Sequence, residues 1–451
     1  MTKKNEVLGY LPDECPSGIE LIFFALQQIV VMFPATVLVA LITGFHVSTT
    51  IFASGLATLG FILITKGQIP LYYGSSFSYI AAIASIMSAE ALASYSLNDK
   101  ISIAQFGIVM SGFVSILAGI IINRSGKETI DKVLPPTVTG SIAIIIGLSL
   151  AANAMTNAAA FPAGTPKSQT AFAGSMSWLI AIITLVSTIL YSVYLKGKLS
   201  QLPILFGLVT GYLAAAIIGS ITGIPFIIFD TVQSAGVFSL PVFTLPKPSV
   251  TAVAAIMPIA IATIPESTAH VYQLDIYVNE LARKKASGKK YDIESKLGIN
   301  LIGDGMGDII SGFIGGPAGT NYGENISTMA ISKNFSVYML ALAAVFTMII
   351  SCFTPLINII YSIPTCVIGG LSVYLFGVIA AQGITIMMDK KVDMFSSKNL
   401  AVIAVILIVG LGGSFGFPGG MIPMFGIEIP AIATAAISGI VLNLILSIGD
   451  R

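Results

Sequence analysis

The chain has 451 residues, 55% of them hydrophobic and only 10% charged, with a formal net charge of +1. An ordinary soluble domain carries about 25% charged residues, so this composition excludes a single soluble core, and the near-neutral balance excludes nucleic acid as a partner. The three cysteines, Cys15, Cys352 and Cys366, form neither a CxxC pair nor a zinc spacing, which argues against disulfides and a metal site.

The opening MTKKNEVLGYLPDECPSGIE has no short apolar run followed by a cleavage site, so no signal peptide is expected. A membrane helix needs roughly 20 mostly apolar residues. Such stretches are expected near 21–44, 48–66, 78–90, 102–123, 136–154, 174–195 and 202–224. In the second half they fall near 249–272, 299–314, 323–334, 336–353, 357–384, 399–414 and 429–449. This predicts an all-α polytopic membrane protein with 14 spans, of which the third and tenth are short.

The basic residues orient it. With the N-terminus in the cytoplasm, Lys3, Lys4, Lys66, Arg124, Lys127, Lys132, Lys196 and Lys198 fall inside. So do Lys333, Lys390, Lys391, Lys398, Arg451 and the six basic residues of the mid-chain loop 282–296. Only Lys100, Lys167 and Lys247 of the 22 basic residues fall outside. This is the positive-inside bias, and a missed helix would scramble it. Both termini are therefore expected to be cytoplasmic.

The two halves echo each other. Tyr73-Gly74-Ser75-Ser76 precedes the short third span, and Tyr322-Gly323-Glu324-Asn325 opens the short tenth. Gly140 and Gly147 recur as Gly370 and Gly377. A seven-helix unit used twice enters the membrane inverted the second time, a transporter architecture with its binding site near the midplane. The expected repeats are 1–230 and 231–451. Each short span reads as an extended segment followed by a half-length helix. Irregular backbone is tolerated at membrane depth only when buried in protein or lining a cavity. Pairing of the two extended segments would satisfy both. Each half-helix would then aim free N–H donors and a positive dipole end at the centre.

The ionisable residues noted inside the spans are Glu266, Glu324 and His270, the last one turn beyond Glu266 on the same face. Charged groups there normally serve a substrate or ion path. A structural pair for Glu266 and His270, and a helix cap for Glu324, are the plain alternatives.

These residues resemble the nucleobase–ascorbate transporters, the nucleobase:cation symporter 2 family, and within it the bacterial uracil permeases. The likeness runs from about residue 18 to the end. It is carried by LQQIVVMFPATVLV, PLYYGSSFSYI, LPPTVTGSIAIIIGL, the Glu-x-x-x-His of Glu266 and His270, and ISGFIGGPAGTNYGENISTMAISK. Three positions depart from the family pattern: Gln27-Gln28 stands for Gln-His, Ser327 for Gly, and Ser332 for Thr. The resemblance implies a core domain of spans 1–4 and 8–11 and a gate domain of spans 5–7 and 12–14. It also implies a homodimer in the bacterial cytoplasmic membrane.

It further implies import of a uracil-like nucleobase with a proton. Glu266 and Glu324 would take the ring N–H groups, with Phe77, Ser76, Tyr322 and Gly323 around the base. Gln28 and Asn325 would bond behind them, and Glu266, His270 and Glu324 would handle the proton. Glu324 stands where xanthine and urate carriers resemble one another in having Gln. A purine substrate, sodium coupling and an anion carrier of the same fold are the alternatives. No P-loop pattern or HExxH appears, so neither ATP, an enzyme mechanism nor a cofactor is called for.

Overall fold

The computed structural model describes residues 9–89, 92–126, 132–197, 199, 202–229, 236–424 and 427–450. Lys3, Lys4, Lys127, Lys198, Arg451 and the expected repeat boundary at 230 lie outside the described residues. Helices α1 (Gly18–Thr43) and α2 (Val47–Ile64) lead into strand β1 (Tyr73–Ser75), a 3-10 turn (Phe77–Tyr79) and the short α3 (Ile80–Met87). They are followed by α4 (Leu97–Ser125), α5 (Pro136–Ser149), α6 (Ala151–Ala159), α7 (Thr170–Tyr194) and α8 (Pro203–Thr222). The second half holds α9 (Val250–Ile256), α10 (Ile259–Lys284), α11 (Leu297–Ile314), strand β2 (Gly319–Asn321) and the short α12 (Gly323–Ser332). Then come α13 (Val337–Ser351), α14 (Thr354–Tyr361), α15 (Thr365–Asp389) and α16 (Ser397–Leu407). A hairpin of β3 (Met421–Met424) and β4 (Ile427–Pro430) precedes the last long helix, Ala431–Leu446.

Among the described residues, nine helical segments are long and apolar enough to cross a bilayer. Several expected boundaries move, each for a local reason. The eighth span was expected to stop at 272, where polar residues begin. Helix α10 instead runs on to Lys284, because QLDIYVNELARK keeps an apolar face, with Leu274, Val278 and Leu281 buried. The twelfth span was expected from 357. A separate short helix occupies Thr354–Tyr361, and α15 starts at Thr365 behind Pro364, whose extended backbone cannot continue a helix. The β3–β4 hairpin was not anticipated.

Close backbone approach holds the helices in groups. A Cβ on Gly112 of α4 would lie 2.4 Å from the Gly305 carbonyl of α11, and one on Gly305 would lie 2.3 Å from the Gly112 carbonyl. Likewise Gly383 of α15 sits where a Cβ would meet the Gly140 carbonyl of α5 at 2.4 Å. Small residues at such crossings let helices pack where apolar burial alone gives no preference for protein over lipid.

Ahead of α1, a strap of residues 9–17 is tied down. Tyr10 exchanges backbone bonds with Lys333 and Phe335, both at 2.8 Å, and Leu11 is fully buried. Glu14 accepts from Lys285 at 2.6 Å, while Asp13 pairs with Lys289 and accepts from the Tyr291 hydroxyl at 2.5 Å. The Lys289 ammonium and that hydroxyl hold Asp13 below the usual carboxylate range. Two lysines of the mid-chain loop are therefore neutralised by the strap, which puts strap and loop on one side of the molecule.

Candidate functional site

Strands β1 and β2 pair antiparallel, with Tyr73 opposite Asn321, Gly74 opposite Thr320 and Ser75 opposite Gly319. The two extended segments thus satisfy each other's backbone, and each is followed by a short helix. Gly74 is required by close approach: a Cβ there would lie 2.3 Å from the Tyr322 ring. Asp308 of α11 clamps both strands. Its Oδ1 accepts from the Tyr73 hydroxyl at 2.5 Å and from the Gly319 N–H at 2.8 Å. One turn earlier, Asp304 accepts from Ser267 of α10 at 2.5 Å and from Asn321 of β2 at 2.8 Å.

In front of the strands lies a cavity of about 630 Å³. Its walls come from the strand crossing, from α10 and α12, and from α5 and α15 on the opposite side. Glu266, His270, Glu324, Phe77, Tyr322 and Gly323 all line it, so six of the sequence-derived site residues converge there. Ser78 and Glu324 share the cavity wall with Glu266. No lysine or arginine lines the cavity among the described residues. Tyr322 makes no side-chain cap at the start of α12, and the Glu324 carboxylate bonds its own backbone N–H there. Phe77 meets Phe376 of α15 edge to face at 6.2 Å. Buried polar atoms normally have partners. Yet His270 Nδ1, Thr320 Oγ1 and Asn321 Oδ1, all on residues that line the cavity, have none.

Some roles differ from expectation. His270 hydrogen-bonds the backbone of Asn321 rather than Glu266, and its Nε2 lies 2.9 Å from where a Cβ on Gly323 would stand. It therefore props the β2–α12 corner, and Gly323 is small to admit it. The Tyr322 phenol is buried and committed, donating to the Ser75 carbonyl at 3.0 Å and bonded to Thr36 at 2.9 Å. Ser76 does not line the cavity. Its hydroxyl accepts from the Ser78 N–H at 3.3 Å and caps the 3-10 turn. Asn325 donates to Gln28 Oε1 at 2.8 Å behind the site, the bond anticipated for Gln28 in the position of the family His.

The sequence reading missed Asp304 and Asp308. The signal was present in NLIGDGMGDIISGF: two acids four apart in an apolar, glycine-rich span share one face. It also missed Ser78, Gln273, Thr139 and Gln382. These are neutral polar residues, and nothing in a single sequence says which helix face meets a cavity.

Nine apolar helical segments among the described residues, each long enough to cross a bilayer, mark a multi-pass membrane protein, and the comparisons with known proteins place it among transporters rather than enzymes. Residues 19–419 match the model of the Permease family, and the chain belongs to that family. It is 34% identical to the uracil permease of Bacillus subtilis (strain 168), over 99% of this chain and 96% of that one. It is 36% identical to the uracil permease of Bacillus caldolyticus over 94% and 91%, and 33% identical to that of Escherichia coli (strain K12) over 96% and 93%.

Among solved structures it resembles the murine Solute Carrier 26 family member A9 anion transporter in the inward-facing state. The TM-score is 0.64 at 13% identity, covering 100% of this chain and 74% of that one. It also resembles the transmembrane domain of a cyanobacterium bicarbonate transporter, BicA, with TM-score 0.54 at 14% identity and coverage of 94% and 96%. At such identities the likeness speaks to fold alone.

Proposed function

We propose that this chain imports uracil, or a closely related nucleobase, together with a proton by alternating access. The observation that carries the reading is that Glu266 and Glu324 line one cavity, at the start of α12, with no lysine or arginine on its wall among the described residues. Uracil has two ring N–H donors and two carbonyl acceptors. Carboxylates accept from the first, and backbone N–H groups near Phe77 and Gly323 donate to the second. A site built this way rejects analogues that leave a group unpaired. The names of the uracil permease relatives support the same substrate.

A potential of 100 mV is worth about 2.3 kcal/mol per charge, which sustains roughly 50-fold accumulation of a neutral solute moved with one proton. Glu266 is the proton carrier in this reading, with Glu324 as ligand. The repeat 1–230 gives spans 1–4 to a core domain and 5–7 to a gate domain, and the repeat 231–451 gives spans 8–11 to the core and 12–14 to the gate. The glycine contacts between α4 and α11, and between α5 and α15, support that grouping. The cavity reaches Asp389, next to Lys390 and Lys391, so it opens toward the side assigned to the cytoplasm. Apolar faces such as Leu213, Ile217 and Ile221 of α8 meet lipid, and two copies associate through the gate domain.

Uptake of labelled uracil and xanthine into proteoliposomes, with and without a proton gradient, tests the reading. Gradient-driven xanthine uptake without uracil uptake would reverse the substrate assignment. Glu324→Gln keeps the start of α12 but exchanges an anionic acceptor for an amide. It should weaken uracil binding about tenfold, and unaltered affinity would leave Glu324 as a helix cap. Topology is checked by single cysteines at Lys167 and Lys290 in a cysteine-free background. Opposite-side labelling is expected, and labelling of both from one side would overturn fourteen crossings.

A further inference from the structure

The cavity is longer than the site around Glu266 and Glu324. Three helices that line it, α10, α12 and α15, all end on the lysine-bearing side, at Lys284, Ser332 and Asp389. Along α10 the cavity-lining residues Glu266, His270 and Gln273 form one stripe, with Gln273 seven residues beyond Glu266. At 1.5 Å per residue that is about 10 Å toward the open end. Along α15 the lining residues run from Tyr374 through Val378 and Gln382 to Thr385 and Asp389. The upper member, Tyr374, is committed to Ser192 of α7 at 2.5 Å. Gln382 is exposed to the cavity and makes no side-chain hydrogen bond among the described residues. Gln273 spends one N–H on the Tyr277 hydroxyl at 3.3 Å, and its carbonyl oxygen takes no hydrogen bond among the described residues.

We propose a second holding site in this lower layer, where the primary amides of Gln273 and Gln382 receive a cyclic imide on its way to the open end. The proposal rests on the uracil reading above. An amide presents a donor and an acceptor side by side. An imide edge, N–H next to C=O, presents the complement, so one amide makes two hydrogen bonds to it. The upper site differs in kind, because its carboxylates only accept when ionised. Amide pairs are neutral and weaker than charge-assisted bonds, which suits a site that must empty. The two amides stand on helices assigned to opposite domains, so the layer exists as a pair only while the cavity is open on this side.

The test is uracil counterflow with reconstituted full-length protein, with half-saturation measured separately from the external face and the α15 Asp389 face. Gln273→Leu and Gln382→Leu should each raise the half-saturation on the Asp389 face about five-fold, the double variant more, with a smaller change externally. An unchanged Asp389-face value in both single variants, or equal rises on the two faces, overturns the lower site. The single variants keep the test alive should the double variant fail to fold. Absence of uracil counterflow in the unsubstituted protein overturns the substrate reading and the lower site together. Counterflow in that protein with unmoved variants overturns the lower site alone.

Discussion

Glu266→Gln is expected to abolish proton-driven accumulation of uracil, from roughly 50-fold at 100 mV to none. Glutamine copies the size and the protonated polarity of the side chain but cannot exchange a proton. Glu266 suits the carrier role because it lines the cavity with Ser78 and Glu324, with no lysine or arginine on the cavity wall among the described residues. Its neighbour His270 is bound to the Asn321 backbone and so holds the corner that presents Glu324. The variant is expected to retain exchange of substrate down its gradient, since the other ligands stay in place. The measurement is the external pH change on adding uracil to proteoliposomes, unsubstituted protein against variant. Undiminished proton uptake by Glu266→Gln would move coupling to another acid, Glu324 or Asp304.

The long apolar runs and the extended-then-helical short spans were legible because each is a local property. Twenty apolar residues and a Gly-rich break need no tertiary information. Register was not legible. The echo of Tyr73-Gly74 in Tyr322-Gly323 equates the two tyrosines, yet Tyr73 lies inside a strand and bonds Asp308, while Tyr322 sits at the helix entry and bonds Ser75. The pairing centres on Gly74 opposite Thr320, set by backbone bonds and by the Tyr322 ring that occupies the space left at Gly74. The glycine echo fares similarly: Gly370 packs on the Ala181 carbonyl, whereas a Cβ on Gly377 would meet nothing within 4 Å. The acids on α10 and α12 stood out as charges in apolar surroundings. Their opposing wall, Thr139 and Gln382, did not, because a neutral polar residue is common in a span and its direction is fixed only by packing.

The strand crossing itself should fail when its clamp is removed. Asp308→Ala strips the acceptor from the Tyr73 hydroxyl and the Gly319 N–H, both buried. Each unsatisfied group costs about 1–3 kcal/mol, so the loss is expected at about 2–6 kcal/mol, large against a typical total of about 5–15 kcal/mol. Asp308→Asn retains one oxygen at that position and should cost under about 1.5 kcal/mol. Tyr73→Phe removes only one of the two bonds, and its effect should not add to that of Asp308→Ala. A double-mutant cycle on detergent-solubilised protein should return a coupling of about 1–2 kcal/mol. The functional consequence follows from position. Ser75, Thr320 and Asn321 line the cavity from these strands, and α12 starts two residues after β2. A slack crossing therefore lets Glu324 wander, and uracil affinity should fall with stability in Asp308→Ala but recover in Asp308→Asn. Full stability with zero coupling to Tyr73 would show that the strands are held by their own pairing, and that Asp308 merely fills the space behind them.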